Sequence, residues 1–501
     1  MTLGEMLSGV AVRGPLPDAL VSRAVTGLDH DSRQVAPGFV FFALAGHRAD
    51  GSHFAEQAMS QGALAAISEM PRPAGFAGPW IEVEHGRRAL SLAARNFYRR
   101  VVEAASIAGI TGTNGKTTTS YIADSILRAA GWITALVGTI EYHVAGQARP
   151  AVNTTPESLD VYRILEELAA CGGAHATMEV SSHALALGRV HGVPFHTAVF
   201  TNLTRDHLDF HGTMEHYFAA KNLLFRGDGA SPPRRAALNA DDDYARRVET
   251  APETEVLWYS IDAPQAPGRG PLLRAVNVRS DFDGLHFDAV LEGKRVPLAS
   301  PLIGRINVYN ILAACAAGLS FGLDWDTIVR GVSACRAVPG RFERVEAGQP
   351  FLVAVDYAHT DDALRNAIEV ARSLHPRRVI TLFGCGGDRD RAKRPLMAAA
   401  AASASDFVVL TSDNPRSEDP IAILTDAMVG LGRYDTPHVV EPDRARAIRR
   451  ALGEAREGDI VLIAGKGHET YQVLRDRTIH FDDREVALEV LRSFGYGREK
   501  S

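Results

Sequence analysis

Short apolar runs of strand length recur along this chain, each breaking off into glycine or polar residues and each followed by a helical stretch. ASIAGI (105–110), ITALVG (133–138), HATMEV (175–180) and HTAVFTNL (196–203) form one series. FLVAVDYA (351–358), RRVITLFG (377–384), DFVVLTSD (406–413) and DIVLIAGKG (459–467) form a second. Buried strands alternating with helices build parallel α/β sheets. Ligands of such sheets bind outside the carboxyl ends of the strands, where the polar tails of these runs fall. Residues 1–102 precede the first series and hold the strand-like FVFFAL (39–44) and a helical stretch near 88–99. With 501 residues and roughly 150 per domain, an α/β protein of three domains is expected, at 1–102, 103–336 and 337–501. The Pro- and Gly-rich stretch 226–300 reads as strand and loop peripheral to the second domain, and MAAAAASAS (397–405) as helix.

A net charge of −6 argues against a general nucleic-acid binder. The four cysteines (Cys171, Cys315, Cys335, Cys385) include no CxxC pair, so neither a disulfide framework nor a zinc site is expected and a reducing cytosol fits. No apolar run reaches the ~20 residues of a membrane span, and the amino-terminal residues carry no signal-peptide pattern. A cytoplasmic monomer acting on small molecules, with no nucleic-acid or membrane partner, is the expectation.

TGTNGKTT (111–118) lies between a strand and a helix. A glycine-rich turn there aims backbone N–H groups and the helix amino terminus at a phosphate. Lys116 would reach the outer phosphates and Thr117 would ligate Mg²⁺. The common pattern G-x-x-x-x-G-K-[ST] is not met, because Ile110 stands six residues before the lysine; the shorter Gly112–Thr117 form is present. In MEVSSHAL (178–185), Glu179 is placed as an oxygen ligand for Mg²⁺. The alternative for this segment is a helix cap by Ser181 or Ser182. TNLTRDHLDFHG (201–212) gathers Arg205, Asp206, His207, Asp209 and His211 after a strand. Lys221 follows on the apolar stretch YFAAKNLLF; taken alone it reads as snorkelling to solvent, the alternative being a buried lysine open to modification. Asn307 and Asn310 are candidate contacts to a nucleotide base, and Arg341 and His359 to a terminal phosphate. SDNPRSEDP (412–420), read alone, is a surface turn with a solvated Arg416.

Taken together, these residues resemble the Mur ligase family, ATP-dependent enzymes forming amide bonds in bacterial cell-wall precursors. The likeness runs through DSRQVAPGFVFFALAGHRADG (31–51), TGTNGKTT, NTTPE, MEVSSHALALGRV, TNLTRDHLDFHG, AAKNLLF, PGRFE, DYAHT, FGCGGDRDRAKRPLM, DNPR and GKGHETYQ, in order along all three segments. It implies a uridine-nucleotide-binding first domain, a P-loop-type ATPase second domain and a Rossmann-like third. It also implies that ATP phosphorylates the γ-carboxyl of D-glutamate in UDP-MurNAc-L-Ala-D-Glu, and that the amine of a diamino acid then displaces phosphate.

The resemblance carries roles position by position. Gly112, Thr113, Asn114, Gly115, Lys116, Thr117 and Thr118 would cradle ATP, with Asn310, Arg341, Asp356 and His359 completing its site. Thr117, Glu179, His207 and a carbamylated Lys221 would hold Mg²⁺; with Lys116 and His359, the last three form the expected catalytic set. His30, Ser32, His47, Arg48 and Ala49 match uridine contacts; Asn153, Thr154, Thr155, Ser181 and Arg189 match contacts to the sugar and dipeptide. Leu187 stands where some relatives have a substrate-binding glutamine, and Asp361 where many have proline. Within the family, DNPR accompanies addition of meso-diaminopimelate, whose distal carboxylate an arginine can hold with two parallel hydrogen bonds. Asp413, Asn414, Pro415 and Arg416, with Arg389, Gly465 and Glu469, would form that amino-acid site. Two rivals remain at this stage. Folylpolyglutamate synthase shares the ATP core but lacks the amino-terminal segment and DNPR, and a P-loop binding protein would hydrolyse ATP without joining anything.

Overall fold

The computed structural model describes residues 1–46 and 50–497. They form two compact units: Met1–Ala275 with Ala289–Val296 and Tyr309–Val332, and Val276–Asp288 with Pro297–Val308 and Ser333–Ser501. The first unit carries two sheets. One is parallel and follows chain order through Gly27–Asp29, Phe39–Phe42, Ala65–Ser68 and Trp80–Glu82. In the other, Thr134–Val137, His175–Glu179, Ser106–Thr111, Thr197–Phe200, Arg235–Asn239 and Glu255–Ser260 lie side by side, all parallel. Thr134–Val137 also pairs antiparallel with Glu141–Val144, which turns back into the exposed edge strand Gln147–Pro150.

The stretch 226–300 is more than the peripheral elaboration expected. Arg235–Asn239 and Glu255–Ser260 are full members of the main sheet, because Ala236, Leu238, Val256 and Trp258 are apolar and buried in the same core as the P-loop strand. The break expected at 102/103 falls inside the first unit. Helices Gly86–Phe97 and Arg99–Ala104 share one hydrophobic core with helix Ser158–Ala170, and Arg163 donates to the buried Asp29 at 2.5 Å across the same junction.

Helix Lys116–Ala129 opens with three threonines, which are poor helix formers because β-branching restricts their rotamers. Tertiary contacts offset this: Ile122, Ile126 and Leu127 are buried, and the Thr119 hydroxyl reaches Asn310 Oδ1 at 3.4 Å.

The second unit is doubly wound, as the strand pattern implies. Its sheet runs Glu343–Arg344, Leu352–Asp356, Ile460–Ala464, Val379–Cys385, Phe407–Ser412, His438–Val440, parallel except for the short first strand. The four central strands are buried on both faces, with Leu364, Met397 and Ile423 covering one and Ile448, Val490 and Leu491 the other. Among the described residues no helix is long and apolar enough to cross a membrane.

In the first unit an aromatic row crosses the amino ends of two strands. Trp132 stacks on His175 at 3.7 Å between centroids, Phe321 meets the His175 edge at 5.7 Å, and His196 stacks on Phe321 at 5.0 Å. Burial holds both imidazoles below the ordinary histidine value, and Arg234 and Arg235 add to this at His196. Because the unfolded chain then binds protons more readily, stability is full above the unfolded histidine value of about 6.5 and falls as pH drops below it. Urea midpoints measured between pH 7 and pH 5 should decline, and the decline should be shallower in His175→Phe. An identical slope in the variant would refute the assignment.

Candidate active site

The P-loop strand ends at Thr111, and Gly112 turns with φ +145°, where a Cβ would collide with the Thr201 hydroxyl. Gly115 follows at φ +86°, with Asn310 filling the space a side chain would need. The loop is tied to the end of the neighbouring strand: Thr113 N donates to Asn202 O at 2.8 Å, Asn114 N to Asn202 Oδ1 at 3.0 Å, and Thr201 Oγ1 to Asn114 O at 2.7 Å. Lys116 folds back so that Nζ donates to Gly112 O at 3.0 Å and Thr113 O at 2.8 Å.

Lys221 does not snorkel. It is 1% exposed and donates to the same Gly112 oxygen at 2.8 Å. Burial, aided by the positive charge of Lys116, holds its ammonium well below the ordinary lysine value. The snorkelling expectation fails because the helix Met214–Arg226 buries Tyr217, Phe218, Leu224 and Phe225 as well, leaving this face no route to solvent. Tyr217, one turn earlier, packs its ring 4.7 Å from the Lys221 ammonium and hydrogen-bonds Thr113 Oγ1 at 3.1 Å.

The helix-cap reading of MEVSSHAL is observed. Ser181 caps the following helix by accepting from Ala184 N at 3.1 Å. Glu179 is 1% exposed and accepts from Thr117 Oγ1 at 3.0 Å, Thr139 N at 2.8 Å and Thr139 Oγ1 at 3.0 Å. His207, at φ +52°, sets its ring 4.8 Å from His183 and 6.0 Å from Tyr217. Partial burial, with Asp206 opposing and Lys116 and Lys221 adding to it, holds its imidazole below the ordinary value.

The structure thus joins Thr117 to Glu179 directly, while Lys221 meets them only through the loop. Among the described residues no cluster of three His, Cys, Asp or Glu side chains could cage a metal. One carboxylate and one hydroxyl fit Mg²⁺, which keeps waters and takes phosphate oxygens rather than needing an all-protein cage.

The residues matched to the sugar and dipeptide gather around the same strand end. Thr155 Oγ1 donates to Glu179 O at 2.8 Å and accepts from Ser181 N at 3.0 Å; Thr154 and Thr139 share a hydroxyl contact at 3.1 Å. Asn153 is held by Tyr142, whose hydroxyl accepts from its N–H at 3.2 Å. Arg189 meets Glu157 Oε1 at 3.1 Å, as Arg87 does at 3.0 Å, and donates to Thr155 O at 3.3 Å. Leu187 ends the short helix before it, half-buried. Ser32 donates to Gln57 at 2.9 Å and His30 lies 3.9 Å from Asp29. His47, Arg48 and Ala49 lie outside the described residues.

In the second unit, Arg341 stacks over the Tyr357 ring at 5.2 Å, and His359 Nδ1 contacts Tyr357 O at 2.8 Å. Asp356 accepts from Phe342 N at 2.7 Å; burial pushes its carboxyl above the ordinary value, with Arg341 opposing. Thr360 caps helix Asp361–Ser373, so Asp361 sits in an acidic first turn, favourable at that end. Asn307 spends one amide hydrogen on Ile303 O at 2.7 Å.

SDNPRSEDP is not a free surface turn. Asp413, Asn414 and Pro415 are buried, and Arg416, half-buried at φ +54°, donates to Gly387 O at 2.7 Å. Gly387 N donates to Asn414 O at 2.9 Å, and Ser417 Oγ to Asp388 at 2.6 Å, so the loop of Arg389 and the loop of Arg416 are one structure. A third loop joins through Gln472 Nε2 to Asp413 O at 2.6 Å and Val473 N to Asn414 Oδ1 at 2.9 Å. It brings Gly465, at φ +115°, and Glu469, whose Oε2 accepts from Asn414 Nδ2 at 2.9 Å.

Three family models match the chain in succession: Mur ligase family, catalytic domain, over residues 24–98; Mur ligase middle domain, over residues 110–318; and Mur ligase, glutamate ligase domain, over residues 340–467. The chain belongs to the Mur ligase family. It is 64% identical over 496 residues, 99% of both chains, to UDP-N-acetylmuramoyl-L-alanyl-D-glutamate--2,6-diaminopimelate ligase of Solibacter usitatus (strain Ellin6076). Its identity to the protein of that name from Geobacillus thermodenitrificans (strain NG80-2) is 45% over 491 residues, 97% of this chain and 98% of the relative. A solved structure of a ligase of that name matches this Mur ligase with a TM-score of 0.73 at 33% identity, covering 99% of each chain.

Sequence reasoning missed several members of this Mur ligase's polar framework. Thr139 holds Glu179 from a loop forty residues away. Arg394, 1% exposed, pairs with Glu418 at 2.7 Å and Asp426 at 2.8 Å and so ties down the two arginine loops. Lys466 and Arg444 are fully buried at the strand ends. Lys466 and Arg394 had a signal in their places inside GKGHETYQ and FGCGGDRDRAKRPLM. Gly112→Ala should keep the fold but lower ATP-dependent turnover by about a hundredfold or more, since a Cβ forces the loop off Thr201 and misplaces both lysines. Near-normal turnover in a folded Gly112→Ala enzyme would show that the loop geometry is dispensable.

Proposed function

We propose that this Mur ligase joins meso-2,6-diaminopimelate to the γ-carboxyl of D-glutamate in UDP-N-acetylmuramoyl-L-alanyl-D-glutamate, at the expense of ATP. The observation that carries this is the match over 99% of both chains, at 64% identity, to a ligase of that name. The nucleotide-linked substrate and ATP support a cytoplasmic place of work, and we read the enzyme as a monomer with domains at 1–102, 103–336 and 337–501.

A carboxylate is a poor electrophile, and transfer of the ATP γ-phosphoryl group to it makes an acyl phosphate that the acceptor amine can attack, releasing phosphate. Such transfer needs positioning and charge neutralisation more than covalent help. Gly112 to Thr118 would cradle the phosphates, with Lys116 swinging from the Gly112 and Thr113 carbonyls onto the transferring group. Asn310, Arg341, Asp356 and His359 would complete the nucleotide site. Mg²⁺, when bound, would neutralise phosphate charge at Thr117, Glu179 and His207. His30, Ser32 and the segment His47–Arg48–Ala49 would take the uridine nucleotide; Asn153, Thr154, Thr155, Ser181 and Arg189 would take the sugar and dipeptide.

Lys221 has the environment carbamylation requires. Its depressed ammonium gives up one proton readily, and the free amine can attack carbon dioxide, forming an N–C bond and losing a second proton from nitrogen to leave the carbamate anion. The product is an anion beside Lys116, where two cations otherwise share one carbonyl. Lys221→Ala should therefore lose nearly all activity and regain part of it with added short carboxylates. An enzyme that stays active without them would remove Lys221 from the metal site.

Arg416 would hold the distal carboxylate of diaminopimelate and Glu469 its ammonium, with Arg389, Asp413, Asn414, Pro415 and Gly465 forming the rest of the pocket. An unmatched bidentate pair costs several kcal/mol, so lysine should be disfavoured about a hundredfold or more. Phosphate release with the dipeptide nucleotide should accordingly depend on diaminopimelate and be feeble with lysine, and Arg416→Ala should raise the diaminopimelate KM while sparing that of ATP. Equal use of both amino acids, or an ATP KM that rises in step, would defeat this assignment.

A further inference from the structure

Lys466 has no part in the roles above, yet it is one of the most enclosed charges in the second unit. Its side chain has 0% exposure, and its ammonium stands 3.4 Å from Asp413 Oδ1, 3.2 Å from Asn414 Oδ1 and 3.1 Å from Glu469 Oε2. An ammonium removed from water persists only where anions and hydrogen-bond acceptors replace its hydration. Two carboxylates surround this one cation, so the knot keeps one negative charge in surplus.

The neighbouring charges do not cancel that surplus. Arg444, also 0% exposed, is matched by Asp483, donating to its two oxygens at 2.7 Å each. Arg444 also donates to Ser412 O at 3.1 Å and Ala464 O at 3.0 Å, pinning the two strand ends from which the Asp413 and Lys466 loops leave. The partners of Lys466 are therefore fixed from behind, Asp413 and Asn414 by the 472–473 backbone and side chain as well. The Tyr471 ring lies 5.7 Å from the ammonium and within the fields of both Glu469 and Arg416. An anionic knot thus adjoins an arginine, and the free α-amino acid end of a diamino acid carries the complementary pair of charges.

We infer that Lys466 is a positioning residue for the amino-acid acceptor: it draws Asp413, Asn414 and Glu469 into one preformed pocket and trims its charge to the single negative that one ammonium neutralises. The inference rests on the proposed function for the identity of the acceptor, not for the geometry. Without Lys466 the two carboxylates repel, and they separate or share a proton; either change spoils the pocket for an ammonium while leaving the ATP loop of the first unit untouched.

The test uses the full-length enzyme and initial rates of phosphate release. Lys466→Met should raise the diaminopimelate KM about tenfold or more, with kcat and the KM values for ATP and the dipeptide nucleotide within about threefold of wild type. Lys466→Met combined with Glu469→Gln, which restores the surplus of one charge, should lose less than the two single changes added together. Wild-type kinetics in Lys466→Met, or KM values for ATP and acceptor that rise together, would overturn the inference. Should Lys466→Met lose its unfolding transition, Lys466→Arg decides instead: a rise confined to the acceptor KM supports positioning, and a rise shared with ATP refutes it. A wild-type enzyme that prefers lysine to diaminopimelate would defeat the acceptor assignment alone, and the same variants measured with lysine would still judge Lys466.

Discussion

One carbonyl oxygen, that of Gly112, receives two lysine ammonium groups, from Lys116 at 3.0 Å and Lys221 at 2.8 Å. Like charges this close repel, and that repulsion adds to burial in lowering the hold of Lys221 on its proton. The rest of the first unit is organised around that imbalance. Gly112 is the residue whose missing side chain lets the strand end approach Thr201 and offer its carbonyl. Tyr217 packs over Lys221, and His183, His207 and His211 stay below their ordinary values partly because the lysines oppose further positive charge. Against this stands Glu179, buried and fully engaged by threonines. A site so charged is prepared for phosphate groups before they bind, and cationic preorganisation is what phosphoryl transfer draws on.

The second unit solves a different problem by the same means. Its loops at the carboxyl ends of the strands carry arginines that must keep their place without a core of their own. Buried ion pairs do that work: Arg394 with Glu418 and Asp426, Arg444 with Asp483, Lys466 with Asp413 and Glu469. Pairs of this kind contribute little net stability, since desolvation offsets most of the Coulomb gain. Their value here is geometric, because Arg394, Arg444 and the Lys466–Asp413 pair link segments tens of residues apart, and Arg416 is held at a left-handed backbone angle beside its bond to Gly387.

Much of this was legible from local pattern. The strands of both large sheets follow the apolar runs closely, because burial on both faces leaves little choice of period, and the glycine turn announced the phosphate loop. The misreadings share a cause. Lys221 taken alone reads as snorkelling because its neighbours are apolar, but apolar residues on every side of a helix mean enclosure, and only the packed sheet settles which side has water. The stretch 226–300 looked peripheral because proline and glycine loops dilute two genuine strands. Thr139 and Arg444 carried no signal at all, since each acts on partners whose distance in sequence says nothing of their distance in space.

What the sequence determined by itself was the class of chemistry. Strand ends furnished with glycine, lysine, carboxylate and arginine suit phosphate, metal and carboxylate at the edge of an α/β sheet, and the ordered motifs add the resemblance that implies ligation. What only the tertiary structure decided was the state of those groups: which lysine is buried, which carboxylate is already engaged and which arginine is aimed. Charge state and direction depend on desolvation and on neighbours brought in from distant segments, and these come into being only when the chain has folded.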